Sequence, residues 1–212
     1  MRSVTLGMFL CCVLLFSGVA PAQEAPAKKQ STKTQEHKTM KNAQPVALVE
    51  TSMGSFEIEL YPSDAPKTVE NFVKLSEKKY FDGMRVHRIA KGFVIQTGDD
   101  KSKDPAQADQ WGSGGQSIWG KEFEDELNPN APSFKEGYKK GVVAMANRGP
   151  NTNTSQFFVC LQDVSLPHKY TIFGKVVKGM DVVDKIKQGD VIEKATVKQK
   201  RDHEYKPEVT TE

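Results

Sequence analysis

Met145-Ala146-Asn147-Arg148-Gly149-Pro150-Asn151-Thr152-Asn153-Thr154-Ser155-Gln156-Phe157-Phe158-Val159 sets a polar run between two apolar ones. The first apolar run begins at Gly141 and ends at Ala146, and the second continues to Leu161, so each reads as a buried strand. A second segment of the same character is Val86-His87-Arg88-Ile89-Ala90-Lys91-Gly92-Phe93-Val94-Ile95-Gln96-Thr97-Gly98-Asp99. In both, side chains that can only hydrogen-bond stand among aromatic residues, and each segment follows or spans a strand pattern that fixes side-chain directions. Such a surface binds without attacking.

Outward from these segments the periodicity again favours strands. Val46 to Val49 is a short apolar run, and Phe56, Ile58 and Leu60 alternate with Ser55, Glu57 and Glu59, which predicts a hairpin turned at Met53-Gly54. Pro66 suits a first helical position with Asp64 just upstream, and Val69, Phe72, Val73 and Leu75 share one face until Asp82-Gly83. Further strands are expected at Arg85 to Ala90, Phe93 to Thr97, Thr171 to Val177 and Val191 to Lys198. Met180, Val183 and Ile186 predict a second short helix ending near Gly189. Many short strands with two helices predict a mainly β fold: a closed antiparallel β-barrel with helical lids.

The ends of the chain are of another kind. Met1-Arg2, the apolar run Val4 to Val19 and Ala20-Pro21-Ala22 have the pattern of a secretory signal peptide, residues 1–22, cleaved after Ala22. That run is shorter than the ~20 residues a spanning helix needs, so no membrane span is expected after cleavage. Residues 23–44 carry Lys28, Lys29, Lys33, Lys38 and Lys41 without aromatics and read as a disordered tether. A polar tail is expected at 201–212, which leaves one domain at 45–200, expected to be an exported (periplasmic or secreted) monomer. The net charge of +3 is accounted for by the tether, so nucleic-acid binding is not suggested. After cleavage Cys160 is the remaining cysteine, and its apolar neighbours make it an inert core residue.

Conventional enzyme machinery is missing from the pattern. Gly115 to Glu122 matches the glycines and lysine of a phosphate-binding loop, but Glu122 stands where Ser or Thr must ligate magnesium, so the stretch reads as a Gly-rich surface loop. His37, His87, His168 and His203 have no metal-ligand spacing, and no nucleophile turn occurs. Neither a metal nor a cofactor is expected. Glu122, Glu124, Asp125 and Glu126 read as a solvated charged face.

The two quoted segments, with Pro66-Lys67-Thr68-Val69-Glu70-Asn71-Phe72 before them and Phe173-Gly174-Lys175-Val176 after them, resemble the cyclophilin family over roughly Val46 to Val197. The resemblance implies an eight-stranded barrel with two capping helices, peptidyl-prolyl isomerisation and proline-containing polypeptide substrates. By motif position it implies a catalytic Arg88, pocket aromatics Phe93 and Phe158, and peptide-anchoring Gln96, Asn147 and Gln156. Ala146 and Val94 complete the pocket wall, Val94 standing where the family more often has Met, and Leu166 and Tyr170 are expected to help hold the proline ring. Where the family often has Trp and His, Val164-Ser165-Leu166-Pro167-His168-Lys169-Tyr170 has Ser165 and Tyr170, which bears on ligand preference. Rotation about an amide transfers no proton, so His87 is expected to be structural. The alternative expectation is a proline-binding chaperone or scaffold module with little catalysis, against which Arg88 argues.

Overall fold

In a computed structural model that describes residues 44–198, eight strands form one antiparallel sheet. They are β1 (Val46–Thr51), β2 (Gly54–Leu60), β3 (Arg88–Ala90), β4 (Val94–Thr97), β5 (Val142–Met145), β6 (Phe157–Cys160), β7 (Ile172–Lys178) and β8 (Ile192–Val197). Each lies within or across a span expected from the periodicity. The expected signal peptide, nearly all of the tether and the C-terminal tail lie outside the described residues. Among those described, no helix is long and apolar enough to cross a membrane.

The strand order is β3-β4-β6-β5-β7-β2-β1-β8, with β3 and β8 as edges. The expected closure is not shown, since β3 and β8 are unpaired edges of an open sheet. Near these edges, Arg85 and Val191 form an isolated bridge, and Val86 N–H donates to the Asp190 carbonyl at 2.9 Å.

Alternation within the strands divides the apolar residues between two cores. Ile95, Val143, Met145, Phe157, Val159 and Phe173 enter the larger one. Their neighbours Val94, Val142, Ala144, Phe158, Cys160 and Ile172 form a second on the opposite face, joined by Tyr138. Both faces of β5 and β6 are therefore covered and every residue of these strands is buried. Cys160 is fully buried, and burial pushes its thiol up to about 12, as an inert core residue requires.

Helix α1 (Pro66–Glu77) inserts Phe72 among Phe81, Phe157 and Phe173, with ring centroids 5.1–5.7 Å away. It ends before the expected Asp82-Gly83 stop. Tyr80 N–H bonds the Leu75 carbonyl and Lys79 N–H the Ser76 carbonyl, a Schellman turn with Lys79 at φ 54° where glycine is usual. Its start at Pro66 agrees with expectation, though no neighbouring side chain caps it. Glu126, 58 residues away, accepts from Thr68 N–H at 2.9 Å and from Lys67 N–H at 3.0 Å, while Asp64 accepts from Ser133 N–H.

That Glu126 contact corrects the reading of the acidic run as a solvated face. Glu124 pairs with Lys67 at 3.1 Å, Glu122 pairs with Arg148, and Asp125 binds Asn151 and Asn153, as described below. A further short helix, α2 (Pro132–Glu136), was not expected, though Pro132 at its first turn and Gly137 at its end are readable signals. Helix α3 (Met180–Val183) is shorter than predicted, yet Val183 and Ile186 are buried as their spacing requires.

Candidate active site

Strand register builds the site. Arg88 is paired with Gln96 across β3 and β4, Gln96 with Phe158 across β4 and β6, and Phe158 with Ala144 across β6 and β5. Directly paired residues share a face, so a guanidinium, an amide and an aromatic ring stand in one row. Arg88 lies on the exposed edge strand and Phe158 in the second core, so the row runs from solvent into an apolar floor.

Above this floor is a pocket of about 250 Å³, lined by Arg88, Phe93, Val94, Gln96, Ala146, Asn147, Phe158, Leu166 and Tyr170. Gln156 lies outside it and lines an adjoining cavity of about 80 Å³, which shares Gln96, Ala146 and Asn147 with the first. Tyr170 stands edge-on to Phe158 at 5.6 Å, closing the apolar end. Ser165 is exposed and lines neither space.

A directed chain of hydrogen bonds orients the guanidinium. Gln156 Nε2 donates to the Gly112 and Gly114 carbonyls at 2.9 and 2.8 Å. Carbonyls only accept, so the Gln156 amide can turn just one way and must offer its Oε1 to Gln96 Nε2, at 2.9 Å. Gln96 Oε1 then accepts from Arg88 Nη1 at 3.2 Å. The loop that supplies Gly112 and Gly114 follows two 3₁₀ turns, Asp100–Lys103 and Pro105–Gln110, within a stretch whose arrangement is not legible in the sequence.

Asn147 is held from the other side, its Nδ2 donating to the Lys169 carbonyl at 2.8 Å. The loop around it is fixed by Asp125 and Asn151, each of which accepts the other's backbone N–H at 2.9 Å. Asn151 adopts φ 61°, which asparagine tolerates. Asp125 also accepts from Asn153 Nδ2 at 2.7 Å, a partnership invisible in the sequence because the two residues lie 28 apart.

His87 is buried beneath Gly112, and both ring nitrogens lack a hydrogen-bond partner. Desolvation lowers its pKa from 6.5, opposed by the Asp99 carboxylate and assisted by Arg88, so burial disfavours the charged ring. The resemblance of residues 115–122 to a phosphate loop also has a structural answer. Gly115 N–H is bound to Asp100 Oδ1 at 2.7 Å and Ile118 N–H to Asn71 Oδ1 at 2.9 Å, so carboxylate and amide oxygens already occupy these donors. Among the described residues no cluster of His, Cys, Asp and Glu has the geometry to hold a metal ion.

Comparison with known proteins places this geometry in context. Residues 46–206 match the family model described as cyclophilin type peptidyl-prolyl cis-trans isomerase. The chain is 43% identical over 164 residues to peptidylprolyl isomerase domain and WD repeat-containing protein 1 of Mus musculus, covering 77% of this chain and 24% of that relative, so it spans about a quarter of the length of that larger protein. It is 43% identical over 145 residues to peptidyl-prolyl cis-trans isomerase-like 3 of Gallus gallus, covering 68% of this chain and 83% of the relative. A crystal structure of a Cryptosporidium parvum cyclophilin type isomerase, in the presence of the dipeptide Ala-Pro, is similar with a TM-score of 0.63 and 31% identity, over 74% of this chain and all of that one.

Proposed function

This chain belongs to the cyclophilin-type peptidyl-prolyl cis-trans isomerase family, and we propose that it accelerates rotation about X-Pro bonds held at Arg88. The observation that carries this reading is an exposed guanidinium, tethered by Gln96 at 3.2 Å, lining one pocket with Phe93, Phe158 and Tyr170. Rotation about an X-Pro bond breaks amide resonance and faces a barrier of about 20 kcal/mol, with no bond to carbon made or cut. As the amide twists, the prolyl nitrogen regains a lone pair. A fixed donor aimed at that nitrogen stabilises the twisted state more than the planar one.

Arg88 is the proposed donor, with N–H groups beyond the one bound to Gln96 left for the substrate. Phe93, Val94, Ala146, Phe158, Leu166 and Tyr170 hold the proline ring and exclude water. Gln96 and Asn147 anchor the flanking peptide so that one end rotates against a fixed other end. Gln156 acts from the adjoining cavity, where it sets the Gln96 amide. Support for these roles comes from the convergence of the side chains on one pocket and from the family match.

The test is cis-to-trans relaxation of a short X-Pro peptide with and without the protein. Concentration-dependent acceleration is expected. Peptide binding with an unchanged relaxation rate would instead identify a proline-binding module.

The pattern of residues 1–22 further supports export, with cleavage after Ala22 and clients among exported polypeptides. N-terminal sequencing should begin at Gln23 on protein recovered outside the cytoplasm. Met1 on cytoplasmic protein would overturn that placement.

A further inference from the structure

Leu166 and Tyr170 form one wall of the pocket, yet the loop 164–170 that carries them lies in neither a strand nor a helix. We propose that Tyr138 is the positioning residue of this wall, setting substrate affinity through the backbone of Tyr170; the inference rests on the reading of the pocket as the prolyl site. Tyr138 is 3% exposed and does not line the pocket. Its hydroxyl donates to the Tyr170 carbonyl at 2.9 Å and accepts from the Tyr170 N–H at 3.1 Å. One phenol oxygen thus satisfies both backbone groups of the residue whose ring faces the substrate. The Tyr138 carbonyl accepts from Val164 N–H at 2.9 Å, at the other end of the same loop. A single residue therefore pins the loop at both ends.

The ring supports what the hydroxyl fixes. Its centroid lies 6.4 Å from that of Phe158, the pocket floor, and 6.3 Å from that of Tyr170, which it meets edge-on. His168, between the two pinned ends, lies 5.7 Å from Tyr138 and stacks on Phe134 of α2 at 4.0 Å. The wall consequently rests on the segment 132–138. Burial raises the Tyr138 pKa, so the hydroxyl keeps its proton through the neutral range.

Tyr138→Phe keeps the ring and removes the clamp. Steady-state isomerisation of X-Pro peptides, measured well below the melting temperature, should show KM raised about fivefold with kcat within about twofold of the unaltered protein. In a Tyr170→Ala background, where the ring that Tyr138 positions is gone, the same substitution should leave KM within about 1.5-fold. Equal effects in the two backgrounds, or an unchanged KM in Tyr138→Phe when Tyr170→Ala raises it, would overturn the proposal while leaving the prolyl-site reading intact. Absence of turnover by the unaltered protein would overturn both. Amide exchange supplies a test that needs no variant: the Tyr170 N–H should be protected in the full chain, and exchange at the rate of an open loop amide would remove the clamp.

Discussion

Arg88→Ala should lower kcat/KM for X-Pro peptides by at least ~10², about 2.7 kcal/mol of lost transition-state stabilisation, with the fold intact. The fold should survive because Arg88 is exposed on the edge strand β3, and its side chain belongs to neither core. On the proposed mechanism the loss is large, because the guanidinium is a tethered donor where charge would develop. Gln96 holds it, Gln156 holds Gln96, and two glycine carbonyls hold Gln156. Such a donor needs no reorientation when the amide twists, unlike one on a free side chain. Arg88→Lys should restore activity only in part, because an ammonium cannot keep the Gln96 tether and present a planar fork together. Thermal melts with unaltered midpoints would establish that the fold is preserved, and near-normal turnover in Arg88→Ala would remove the arginine from the mechanism.

The second large effect concerns Ser165. The family resemblance puts at this position a Trp through which members commonly bind the cyclic peptide cyclosporin. Ser165 is exposed and lies beside the pocket wall without entering it. An indole there would add apolar contact and an N–H donor to a large ligand that extends past the pocket. About 50 Å² of added contact at ~25 cal/mol per Å², with one hydrogen bond of about 1 kcal/mol, gives ~2 kcal/mol, or some thirtyfold. Ser165→Trp should therefore bind cyclosporin about thirtyfold more tightly than the unaltered protein, whereas turnover of short peptides should change far less. Titration of both proteins with the macrocycle decides the matter, and equal affinities would show that this position does not govern binding.

The same loop shows where local reading stops. The family resemblance pointed to Tyr170 as a pocket residue, but nothing in the sequence joins it to Tyr138, 32 residues earlier. The Glu126 cap is a parallel case. Pro66 marks the start of α1 correctly, yet the side chain that satisfies its free N–H groups comes from a distant loop. A cluster of acidic residues looks the same whether its partners are water or backbone amides. The end of α1 departed from the expected Asp82-Gly83 stop for a different reason: the Schellman turn needs a positive φ, which glycine adopts easily and lysine adopts where the surrounding structure holds it there.

The sequence by itself determined the eight strands and the principal helix, because alternation and helical spacing are local and each strand's side chains face sides set by its own pleat, while the residues of the pocket came from the family resemblance of its motifs. Only the tertiary structure decided which face became which core. Phe157 and Phe158 are equally apolar and equally buried neighbours, and pairing with β4 and β5 sends one to the larger core and the other to the pocket floor. It also decided every polar partnership that orients the site, from the Gln156 anchor to the Tyr138 clamp. A hydrogen bond requires two groups within about 3 Å, and loops far apart in the chain reach that distance only after the sheet has brought them together.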